Sequence, residues 1–216
     1  MTTILDQEPN CAARLWKPFR IIRANLRAYL VMNAIVYGLC LIGMGAGLLF
    51  PGLTAAHNTT MRQDGTADLV GWLLGNMWLF SLGILVVNIL TVGLLRILLP
   101  SMIVPFAGIA IYAYWAFNTG VTLSPVNPAA AKTMIPHSLT ALIEFQAYAL
   151  LMLGSYLLGR SWLRPGSIGA RNRRQGYARG LAQIGWLSLP ALALFVIGAV
   201  YEAFEVIYLV PRLVAG

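Results

Sequence analysis

The sequence predicts an all-α fold: a polytopic transmembrane helix bundle of five spans, preceded by an interfacial amphipathic helix. Three observations predict it. Of 216 residues, 59% are hydrophobic and 10% charged, with a mean hydropathy of +0.74, whereas a soluble domain carries about 25% charge. Five apolar runs match the ~20 residues that a helix needs to cross a hydrocarbon core of ~30 Å. The 15 Lys and Arg, against 7 Asp and Glu, gather beside these runs, as the positive-inside rule requires. A +8 charge distributed in that way points to a membrane, not to nucleic acid.

Residues 1–25 read as a cytoplasmic tail and amphipathic helix, and 26–216 as a single five-span domain. Met1 to Asn10 is polar and carries Asp6, Glu8 and Pro9, a composition that suits a poorly ordered tail. Arg14, Lys17, Arg20, Arg23 and Arg27 then recur every three or four positions, while Leu15, Trp16, Phe19 and Ile22 collect on the other side. That pattern predicts a basic helix lying in the membrane interface, interrupted or restarted at Pro18. It anchors the first span at the cytoplasmic surface or docks a cytoplasmic partner.

Span one runs from about Leu26 to Phe50, too long for a cleavable signal segment and hence an uncleaved anchor. Its Gly43 and Gly47 form a GxxxG pair that lets another helix approach closely. A polar connection leads to span two, about Leu69 to Leu95, with Asn76 and Asn88 inside. Its length exceeds one straight crossing, so its first turns are expected to form a short interfacial or re-entrant piece. Arg96 to Pro100 reads as a tight turn, and span three occupies roughly Leu98 to Phe117, with Tyr112, Tyr114 and Trp115 as an interfacial aromatic belt. Asn118 to Pro136 reads as a loop broken by Gly and Pro. Span four, Ser138 to Gly159, has Glu144 as its only formal charge. A basic loop, Arg160 to Gly180, leads to span five, about Leu181 to Tyr201, kinked at Pro190.

Alternate connections test the count. The tail, the Arg96 turn and the 160–180 loop hold 12 Lys and Arg, and the opposite side holds 3, namely Arg62, Lys132 and Arg212. This asymmetry places the amino terminus in the cytoplasm and the carboxyl terminus outside the cell membrane.

A carboxylate inside a membrane helix costs at least ~2.5 kcal/mol at the bilayer centre unless it is paired, protonated or facing a polar interior. Glu144 is therefore the first candidate for a site. His137 and Glu144 are seven apart and Glu202 and Glu205 three apart, so each pair shares a helical face. A polar cluster of His137, Glu144, Glu202, Glu205 and Asn88, helped by Asn33 or Gln146, is the candidate site between helices four and five. It reads either as interhelical hydrogen-bond glue with interfacial carboxylates in contact with headgroups, or as a functional pocket. Arg14, Lys17, Arg20, Arg23, Arg171, Arg173 and Arg174 are candidate contacts to lipid headgroups or to an acidic cytoplasmic partner. The two Cys, Cys11 and Cys40, suggest neither a disulfide framework nor a zinc site. No metalloprotease, nucleophile-elbow or phosphate-loop motif occurs, so the chain reads as a non-enzyme that needs no metal or cofactor.

Ile135-Pro136-His137 followed by Glu144, then Gly154, Gly159, Arg160 and Pro165, the Asn88 of span two, and the terminal Gly198-Ala199-Val200-Tyr201-Glu202-Ala203-Phe204 carry a likeness over most of the chain. They resemble the stage II sporulation protein M family of five-span bacterial and archaeal membrane proteins. One departure is that the family's Glu follows its His by four residues, whereas Glu144 follows His137 by seven; both spacings keep one helical face. The resemblance implies a scaffold or assembly subunit acting through membrane or periplasmic partners. In spore formers such a protein is similar to a scaffold for cell-wall hydrolases at the septal membrane. Relatives elsewhere look like membrane partners of ABC-type ATPases, so the permease half of an exporter is the alternative. The bilayer itself and further copies of this chain complete the expected partners.

Overall fold

The computed structural model describes residues 16–54 and 66–215, and the described residues are helical with no strand. The first helix, α1, covers Lys17–Ala24, with Pro18 in its first turn, where a missing N–H costs nothing, and Asn25 at its end. Arg14 and the expected tail lie outside the described residues. Next come α2 (Leu26–Leu49), the short α3 (Thr66–Leu73), α4 (Met77–Ile103), α5 (Ala107–Thr122), α6 (Pro128–Leu163) and α7 (Arg173–Val214). Four of these, α2, α4, α6 and α7, are long and apolar enough to cross a membrane, which makes the chain a multi-pass membrane protein. Large apolar side chains on them face outward, among them Leu41, Leu49, Trp78 and Ile103, as lipid contact requires.

Several boundaries differ from the sequence expectation, and proline explains most of them. The Arg96–Pro100 turn is absent: α4 continues through Arg96 and Pro100 to Ile103. A π-helical stretch, Val87–Leu98, precedes Pro100, so the hydrogen-bond ladder is already shifted where the proline lacks its N–H. The actual turn is at Phe106, a non-glycine residue with φ 68°. Its ring packs against Gly159 and Tyr156.

The expected 118–136 loop is mostly helix. Asn127 caps α6, its Oδ1 accepting from Ala130 N at 2.8 Å. Pro128 opens the helix and three alanines follow, so a cap, an N1 proline and strong helix formers act together. The helix then runs on through Pro136, a position that neighbouring membrane helices render tolerable. The expected 160–180 loop shrinks likewise. Arg160 lies in α6, while Arg173, Arg174 and Arg179 lie in α7, capped by Asn172. Tyr112 is no interfacial residue: it is fully buried and stacks near Tyr148, while Tyr114 is exposed. The suspected break at the start of span two falls at 74–76, where Asn76 Oδ1 caps α4.

The packing directions follow from which residues touch. A Cβ on Gly43 would collide with the Phe117 carbonyl, and one on Gly47 with Ser124 Oγ, so α2 and α5 run parallel with their backbones in contact. The GxxxG pair thus meets α5, whose own Gly120 meets Cys40. Tyr29 and Tyr37 of α2 reach Gln146 and Leu142 of α6, an antiparallel pair. Gly154 faces Ile184 and Gly176 faces Ser161, so α6 and α7 are also antiparallel. Asn88 meets Glu144 and Gly93 meets Leu151, so α4 and α6 run parallel. Direction therefore alternates along the chain through α2, α4, α5, α6 and α7. The centre is α6, with 67% of its apolar window buried against 28%, 22% and 33% for α2, α4 and α7.

One end of the bundle collects the basic segments. Lys17 of α1 lies over Trp186 of α7, Tyr177 donates to the Met102 carbonyl, and Phe106 covers Gly159. Arg20, Arg23, Arg171, Arg173 and Arg174 are exposed there.

Candidate functional site

A polar stripe runs down one face of α6: His137, Thr140, Glu144 and Tyr148, at spacings of three, four and four. These offsets stack side chains on one helical face. Each member is met from a neighbouring helix. Glu205, 0% exposed, accepts from Thr140 Oγ1 at 2.7 Å and lies 2.6 Å from His137 Nδ1. Glu144 accepts from Asn88 Nδ2 of α4, and Asn88 Oδ1 accepts from Tyr148 OH at 2.8 Å. Glu202 of α7 lies beside Glu144. The structure thus brings His137, Glu144, Glu202, Glu205 and Asn88 together across α4, α6 and α7, as two adjacent hydrogen-bonded groups, one on Glu205 and one on Asn88.

Local backbone features place these groups. Asn88 is the second residue of the π-helical stretch in α4, and Glu205 opens a second one, Glu205–Leu209, in α7. A π turn rotates the residues after it relative to an α-helix, and such turns recur at functional sites. Gly198 leaves room for Glu144, whose Cγ would stand 3.1 Å from an added Cβ. Tyr201 OH reaches the Pro136 carbonyl at 3.4 Å, tying α7 to the turn before His137.

Two suggested helpers lie elsewhere. Gln146 and Asn33 belong to a separate network in which Tyr29 OH donates to Gln146 Oε1 at 2.5 Å, and Gln146 Nε2 donates to Asn33 Oδ1 and Tyr37 OH at 2.8 and 2.9 Å. Conversely, Thr140 and Tyr148 belong to the cluster without having been singled out from sequence; their place in the 137–140–144–148 spacing was the available signal.

The arrangement can do two things chemically. It joins three helices by charge-assisted hydrogen bonds, and it holds three carboxyls and an imidazole within the bundle where protons can be shared among them. Among the described residues no group of three or more His, Cys, Asp or Glu side chains is arranged to hold a metal ion. No family model matches this chain, and neither a curated protein nor a solved structure matches it.

Proposed function

We propose that this chain is a five-span membrane assembly subunit of the stage II sporulation protein M type, working through partner proteins and not by catalysis. One observation supports this most. The segments on which the resemblance rests, Pro136-His137 with Glu144 and Gly198 through Glu202, lie about sixty residues apart and yet meet. Tyr201 touches Pro136, Gly198 accommodates Glu144, and Glu202 lies beside Glu144. A cluster closed on its own members fixes α4, α6 and α7 to one another, as suits a platform that other proteins dock on.

On this reading α5 is the remaining crossing. Its 16 residues span about 24 Å at the helical rise, short of the ~30 Å core, but α5 lies parallel to α2 with one oppositely directed helix between them in the chain. The basic end, with α1 and the 164–172 connection, is cytoplasmic, and the carboxyl terminus is extracytoplasmic. A periplasm-active reporter after Gly216 should give activity, and one inserted within 171–180 should give none.

Affinity purification of the full chain in mild detergent tests the role. A membrane or periplasmic partner, such as a wall hydrolase, is expected in stoichiometric amount. Recovery of a stoichiometric cytoplasmic ATPase instead would overturn the scaffold and make the chain an exporter permease.

A further inference from the structure

At the basic end a cavity of about 300 Å³ opens between α1 and α7, lined by Lys17, Ile21, Ile168, Arg179, Gln183 and Trp186. Its polar groups are of two kinds. Lys17 Nζ stands 4.6 Å from the centroid of the Trp186 ring. Arg179 Nη1 donates to the Ile168 carbonyl at 2.6 Å, which fixes the guanidinium, a group with further N–H donors. Neither the 16–27 nor the 156–190 segment contains an Asp or Glu, so neither supplies a carboxylate to these cations. Gln183 Oε1, by contrast, is a buried acceptor with no hydrogen-bond partner. The cavity therefore has cationic donors on its wall and, in a residue of the same lining, a buried acceptor that lacks a donor, with Ile21 and Ile168 as apolar lining.

We propose that this cavity binds the headgroup of an anionic phospholipid that also carries a hydroxyl, of the phosphatidylglycerol class. The phosphate sits between Lys17 and Arg179, which a positive, carboxylate-free rim favours. A headgroup hydroxyl donates to Gln183 Oε1, and the proximal acyl carbons lie on Ile21 and Ile168. Trp186 stands where an amphipathic ring is favoured, at the headgroup level. The bound lipid ties α1 to α7 at the connection between α6 and α7. The assignment is independent of the scaffold role, since it requires only that the basic end meet the lipid surface.

Native mass spectrometry of the full chain, in detergent with added phosphatidylglycerol, phosphatidylmethanol, phosphatidylcholine or inorganic phosphate, tests it. Phosphatidylglycerol should be retained over phosphatidylcholine, and inorganic phosphate should not displace it. Lys17→Gln and Arg179→Gln should each lower retention about fivefold, while Arg179→Lys should largely preserve it. Gln183→Leu should abolish the preference for phosphatidylglycerol over phosphatidylmethanol, a phosphodiester of the same charge with no headgroup hydroxyl. The control pair Arg160→Gln and Arg164→Gln, exposed at the same end but outside the cavity lining, should retain lipid as the unaltered chain does. Equal loss in that control would reduce the effect to diffuse surface charge and overturn the site. Displacement by inorganic phosphate would show a free-anion site instead, and equal retention of phosphatidylcholine would show that charge plays no part.

Discussion

Two hydrogen-bonded networks leave α6 in different directions, and they are built from different chemistry. Toward α2, Gln146 is bonded to Tyr29, Asn33 and Tyr37, all neutral groups. Toward α4 and α7, His137, Thr140, Glu144 and Tyr148 are matched to Glu205, Asn88 and Glu202. A neutral hydrogen bond between membrane helices averages only ~0.6 kcal/mol, because the separated helices find other partners. A buried carboxylate that loses its partner has no such relief, and breaking a buried pair costs roughly 3–5 kcal/mol. α2 is thus held mainly by close backbone packing against α5 at Gly43, Gly47 and Gly120, with its hydrogen bonds to Gln146 of α6 as supplement. The α4–α7 side depends on its polar cluster.

Substitutions in the two networks can break this contrast, and the largest effect is expected at Glu205. Glu205→Leu strips His137 and Thr140 of their partner and should destabilise the detergent-solubilised bundle by roughly 3–5 kcal/mol, read by equilibrium unfolding. Adding His137→Leu should recover part of that loss, since both ends of the pair are then apolar. A Glu205→Leu protein as stable as the parent would erase the distinction between the networks.

Next in size, Gly198→Ala pushes a methyl toward Glu144 and should cost about 1–3 kcal/mol as overpacking. Glu144→Gln, which keeps the shape and an acceptor for Asn88, should unfold near the parent, whereas Glu144→Leu should not; a matched pair of unfolding curves separates them. At the neutral network, Gln146→Leu removes three hydrogen bonds worth about 2 kcal/mol at the ~0.6 kcal/mol average. The smallest effect is expected from Thr140→Val, a single bond of about 0.6 kcal/mol, provided His137 continues to hold Glu205. A loss at Thr140 equal to that at Glu205 would mean that the hydroxyl, and not the imidazole, holds the carboxylate.

The helical class was legible in the sequence, and so was the expectation that His137, Glu144, Glu202 and Glu205 gather between two helices, because charge in an apolar run is rare and helical spacing fixes the face. Which glutamate meets His137 was not: the π-helical turn at Glu205 alters the register that an ideal helix would give Glu202 and Glu205. Thr140 and Tyr148 escaped because hydroxyls in membrane helices are common and carry no charge to mark them. Pro100, Pro128 and Pro136 were read as breaks, yet one opens a capped helix and the others lie inside helices. In water those readings would be sound, but within a bundle the freed carbonyls find neighbours. The Gly43 and Gly47 pair announced a close contact, while Gly120, its counterpart some seventy residues on, belonged to a partner that local sequence does not reveal.

The central place of α6 has a consequence for biosynthesis. Translation delivers α2, α4 and α5 first, so Asn33, Asn88 and Tyr37 enter the bilayer before the helix that carries Gln146, Glu144 and Tyr148 exists. Glu144 finds Asn88 of α4 already in place, but His137 and Thr140 wait for α7 to bring Glu205. A nascent chain arrested before α6 therefore carries unmatched polar groups in lipid, and one arrested before α7 carries an unmatched imidazole at His137 and hydroxyl at Thr140. Both are the kind of intermediate that an insertion chaperone would hold and a membrane protease would recognise.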